Sequence, residues 1–103
     1  MPSGSPCLLC VGKEPDLLET RCAVLTMRGY DAQSAHVSEA ETLLLTEKFD
    51  LIILSAFLSQ SEVDRILAAA GETPTLVLRG LTLAQELVAE VERLLPLTRT
   101  APV

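Results

Sequence analysis

The sequence predicts an α/β fold: a three-layer αβα sandwich on a parallel sheet shortened to about four strands. Three observations point there. Short apolar runs alternate with amphipathic, helix-length segments four times along 103 residues. The strongest run, DLIILS from Asp50 to Ser55, is apolar at consecutive positions, so both faces of that strand are covered. Apolar residues make up 49% of the chain but aromatics only 3%, so one aliphatic core forms from Leu, Val, Ile and Ala. Right-handed crossovers then leave few topologies.

The elements follow in order. Residues 1–6, MPSGSP, read as a loose leader. CLLCV, ending before Gly12, is too short for a helix and reads as a buried strand. Pro15 suits the first turn of a helix running from Asp16 to about Arg28, with Leu18, Cys22 and Leu25 on one face. Gly29 supplies a left-handed cap. YDAQSA alternates and predicts a weaker strand. Ser38, with Glu41 three residues on, predicts a capping box for a second helix whose inner face is Ala40, Leu43 and Leu44. After DLIILS, Ser59 and Glu62 repeat the capping pattern. Val63, Ile66, Leu67 and Ala70 then form a stripe that ends at Gly71. Pro74 precedes TLVLR, a fourth strand. Thr82 and Gln85 predict the cap of a last helix with Leu83, Leu87, Val88, Val91, Leu94 and Leu95 as its stripe. Pro96 stops it, which sets one domain over residues 7–96 and a frayed tail over 97–103.

Composition limits function. The net charge is −6 with the acids scattered, which disfavours nucleic acid and anionic membrane surfaces. No apolar run approaches the ~20 residues of a membrane span. Three cysteines and no secretory pattern at the start fit a reducing cytoplasm. Cys7 and Cys10 look like a redox or zinc pair, but in a strand they point to opposite faces, with their Cα atoms roughly 10 Å apart. A disulfide needs less than about 7 Å. With only Cys22 and His36 left to complete a zinc site, small core residues are the expectation, with no metal and no cofactor. His36 reads as a surface or capping residue. No nucleophile–base or paired-acid set appears, so no enzyme is expected.

The ordered set of segments resembles a response-regulator receiver domain, whose sheet is flavodoxin-like. LLCVGKEPDLL resembles its first strand and helix start. GYDAQSAHVSEAETLLLTEKFDLIILS resembles the Gly-Tyr-acid second strand, an Ala/Leu-rich helix and the Phe-Asp-Leu strand that ends at the phosphorylated aspartate. TLVLRG resembles the fourth strand, and LTLAQELVAEVERLLP the last helix. The resemblance covers about Cys7 to Pro96.

The departures carry the functional message. Where the resemblance places the acid pair, this chain has Gly12 and Lys13. Ser55 takes the phosphoacceptor position and Arg79 that of the switch hydroxyl. After Gly80 the chain goes straight to the last helix, so the family's fourth helix and fifth strand, with its lysine, are missing. Receiver chemistry needs a carboxylate nucleophile and Mg²⁺ on oxygen ligands. An ammonium cannot bind Mg²⁺, and a serine without a base does not accept an acyl phosphate's phosphoryl group. Lys13 and Arg79 should share the carboxyl edge of the sheet, where like charges ~4 Å apart cost about 4 kcal/mol at an effective dielectric of 20.

Two functions follow as expectations. The first is a non-phosphorylatable receiver acting as an interaction module in bacterial signalling, with a homodimer or another signalling protein as partner. Losing the fifth strand leaves TLVLR at the sheet edge, so Leu76, Val77, Leu78, Leu83 and Leu87 are candidate interface residues. The second is a small-anion or nucleotide sensor using Lys13, Ser55 and Arg79. The competing structural expectation is that Lys13 pairs with Glu14 or a nearby acid and Arg79 reaches solvent.

Overall fold

The computed structural model describes residues 6–78 and 83–95. The elements are β1 (Cys7–Gly12), α1 (Pro15–Met27), β2 (Asp31–His36), α2 (Val37–Thr46), β3 (Leu51–Leu54), α3 (Gln60–Ala70), β4 (Thr75–Val77) and α4 (Ala84–Leu94). The strands form one parallel sheet in the order β2-β1-β3-β4. This is the predicted αβα architecture.

Strand alternation sorts the core into two layers. Leu8, Cys10, Leu51 and Ile53 face α1 and α4, where Leu18, Leu25, Leu87, Val88 and Val91 complete the cluster. Leu9, Val11, Ile52 and Leu54 face α2 and α3, meeting Ala40 and Ile66. All eight strand residues are fully buried, which explains why β1 and β3 read as continuous apolar runs. β2 lies at the sheet edge with mostly exposed side chains, hence its weaker pattern. The Tyr30 hydroxyl donates to the Leu95 carbonyl at 2.7 Å and ties the end of α4 to the start of β2.

The locally coded caps form as expected. Gly29 adopts φ 100°, and the Tyr30 N–H reaches the Leu25 carbonyl at 3.1 Å while the Gly29 N–H reaches Thr26 at 3.0 Å, a Schellman motif. Ser59 and Glu62 form their reciprocal box at 3.2 and 2.8 Å.

Two caps differ. α2 starts two residues earlier than Ser38 implies, because β2 runs into it without a loop. His36 is the N-cap, and its Nδ1 accepts the Ser38 N–H at 3.1 Å. For α4, Thr82 lies outside the described residues. Leu83 holds the N-cap position, so only half of a box exists: Glu86, not Gln85, accepts the Leu83 N–H at 3.2 Å.

The thiols Cys7, Cys10 and Cys22 are free. Cys10 is fully buried, and a hydrogen bond with Cys22 together with burial pushes its thiol up, so it behaves as a core residue. Among the described residues no helix is long and apolar enough to cross a membrane.

Candidate functional site

In a parallel α/β sheet the carboxyl ends of the strands gather the connecting loops, and ligands collect there. Gly12 ends β1 and Ser55 follows β3. The register brings them together: the Ser55 N–H donates to the Val11 carbonyl at 2.9 Å. A Cβ at position 12 would press on Ser55 Oγ and on Leu18 Cδ2. The serine hydroxyl occupies the space that an acid at position 12 would need. Gly12→Ala is therefore expected to cost about 1–3 kcal/mol, through overpacking or through loss of the serine's own contact. Urea denaturation measures this, and a variant as stable as wild type would show that the space is free.

That contact is with a residue the sequence reading passed over. Arg21 on α1 is 8% exposed and Ser55 is 7% exposed. Arg21 Nη1 donates to Ser55 Oγ at 2.8 Å. Burial pulls the guanidinium below its usual range, while Cys10 and Glu14 oppose that shift. Arginine still keeps its charge at neutral pH. Among the described residues Arg21 has no carboxylate within ion-pair distance. The signal was present in the spacing. Arg21 lies three residues after Leu18 and four before Leu25, on the stripe that α1 turns to the core.

Lys13 is half-exposed and its Nζ lies 3.1 Å from Glu62 Oε1, so its partner is a cap residue of α3, not Glu14. The Glu62 carboxyl is held below its ordinary range, first by the Ser59 backbone N–H and then by Lys13. Lys13 and Ser55 line one small cavity of about 90 Å³ with Glu14, Leu17, Phe57 and Leu58. Arg79, the third expected member, lies outside the described residues. A wider groove of about 310 Å³ runs from Lys13 past His36, Ser38 and Glu41 to Glu62 and Arg65. Its charges are matched internally, because Arg65 sits 3.7 Å from Glu41 and Lys13 pairs with Glu62.

The donors around Ser55 do not fit Mg²⁺. Gly12 has no side chain, Lys13 is a cation, and Arg21 already places a positive charge on the Ser55 oxygen. Among the described residues no three His, Cys, Asp or Glu side chains are grouped to hold a metal ion.

The residues expected at the sheet edge divide. Val77 and Leu83 are 43% and 60% exposed, whereas Leu78 and Leu87 are 5% and 1% exposed and pack into the core. Leu76 is half-buried against the same cluster. Alternation explains the strand residues: Leu76 and Leu78 face the α1/α4 layer, and Val77 faces the α3 side.

No protein-family model matches the sequence, and no curated protein matches it. Solved structures do. A response regulator receiver domain (CheY-like) from Methylobacillus flagellatus superimposes with a TM-score of 0.68 at 16% identity, covering 87% of this chain and 98% of that one. The non-phosphorylated HemR receiver domain from Leptospira biflexa gives 0.73 at 22% identity, covering 95% of this chain and all of that one. The fold is that of a receiver domain. Its sheet order and its pairing of α1 with α4 on one face are the framework on which Gly12, Lys13, Arg21 and Ser55 are mounted. Only residues 78–83 separate β4 from α4 in this receiver fold.

Proposed function

We propose that this receiver-fold protein has given up aspartyl phosphorylation and works as a phosphorylation-independent interaction module in bacterial signalling, pairing with a second copy of itself. The observation that carries the reading is the buried Arg21–Ser55 pair at the position that the resemblance assigns to the phosphoacceptor. A phosphorylated receiver gains and loses negative charge there. Here a fixed guanidinium stands behind a neutral hydroxyl, so the local charge is constant and no covalent switch is available.

Association is supported by the sheet edge. β4 pairs only with β3 among the described residues, and Val77 on it is 43% exposed. The six residues between β4 and α4 are too few for both a covering helix and a further strand. An apolar strand edge of this kind is stabilised by a partner. Sedimentation velocity at micromolar concentration tests this. The expected result is a dimer that Val77→Lys shifts towards monomer, and a wild-type monomer would overturn self-association.

A further inference from the structure

The Arg21–Ser55 pair has a consequence beyond the loss of phosphorylation. Ser55 Oγ accepts a hydrogen bond from Arg21, so its own proton must be donated elsewhere. Among the described residues no acceptor takes it, although the side chain is more than nine-tenths buried. Buried donors without acceptors are rare. A buried guanidinium without a carboxylate is rarer still. The Ser55 hydroxyl lines the cavity of about 90 Å³ together with Lys13, Glu14, Leu17, Phe57 and Leu58, and Arg21 stands behind that hydroxyl, outside the lining.

We infer that this cavity binds a small oxyanion of the carboxylate or phosphate class. The Ser55 hydroxyl donates to it, Arg21 supplies buried positive charge behind the hydroxyl, and Lys13 closes over it. The cavity is well below the roughly 300 Å³ at which pockets for larger ligands begin, which excludes a nucleotide. Two carboxylates oppose binding. Glu14 lines the same cavity, and Glu62 holds Lys13 at 3.1 Å. The second competitor is weak, because a half-exposed ion pair contributes little and Lys13 can exchange partners. The competition from these carboxylates predicts weak affinity for the oxyanion.

The test is an NMR titration of the ¹⁵N-labelled full chain with sodium phosphate and, separately, sodium acetate, each against sodium chloride at matched ionic strength. The expected result is saturable shifts of the Lys13, Ser55 and Phe57 amides with an oxyanion and none with chloride. Response to phosphate alone assigns the phosphate class, and response to acetate assigns carboxylates. Ser55→Ala should weaken apparent affinity about tenfold, the worth of one hydrogen bond to a charged group. Arg21→Met should abolish binding. If Arg21→Met fails to fold, the milder Ser55→Ala decides alone. Shifts that match chloride, or saturable shifts that Ser55→Ala leaves unchanged, would overturn the site.

Discussion

Leu87→Ala is expected to lose about 3 kcal/mol of stability and to unfold roughly 12–24 °C below the wild type. Leu87 is 1% exposed and packs in the cluster that joins α4 to Leu8, Ile53 and Leu25. Truncating it removes apolar contacts and leaves a cavity between the last helix and the sheet. Leu83, at the N-cap of the same helix, is 60% exposed, so Leu83→Ala should stay within about 0.5 kcal/mol and act on association instead. Thermal unfolding by circular dichroism at one fixed protein concentration separates the two. If Leu87→Ala kept its melting temperature and changed only the sedimentation coefficient, α4 would be an interface helix and not the closing element of this core.

Ser55→Asp restores the acidic side chain at the position of the acceptor, yet it should take up no phosphoryl group from acetyl phosphate and Mg²⁺. Gly12 and Lys13 still offer no metal ligands. The new carboxylate also faces the Arg21 guanidinium, which now touches Ser55 Oγ at 2.8 Å. An opposite charge at that range lowers a carboxyl pKa by roughly 1–3 units, equivalent to about 1.4–4 kcal/mol. The sign follows from the lowered folded-state pKa. The added stability is complete above the unfolded value of about 3.9 and is lost as pH falls through the folded value. Urea denaturation should therefore show Ser55→Asp gaining on wild type at neutral pH and losing that gain in strong acid. A difference independent of pH would mean that the guanidinium does not meet the carboxylate.

Much of the fold was legible because its signals are local. Consecutive apolar residues at Leu51–Leu54 require a strand covered on both sides, and the structure buries all four. Gly29 and the Ser59–Glu62 pair act within a few residues of themselves, and both caps formed. His36 is legible as a surface or capping residue and does cap α2, but that it would hold the N-cap position itself, in place of Ser38, depends on where β2 ends against β1.

The site was half legible for a similar reason. Gly12, Lys13 and Ser55 were found by their places at strand ends. Arg21 was missed because a charged side chain on a helix is ordinarily solvated. Only the fold places Ser55 within its reach, 34 residues away. That Lys13 pairs with an acid was expected, but which acid was not legible, since Glu62 belongs to the neighbouring loop–helix junction. Leu78 and Leu87 looked available to a partner because a lost strand exposes an edge. The α1/α4 layer covers both.

Intact-mass analysis of the wild-type protein after incubation with acetyl phosphate and Mg²⁺ bears most directly on the central claim. An unmodified mass at every time point is the predicted result, because the residue facing Arg21 is a hydroxyl in place of a carboxylate, and Gly12 and Lys13 supply no metal ligand. A stoichiometric phosphoryl adduct would contradict the account.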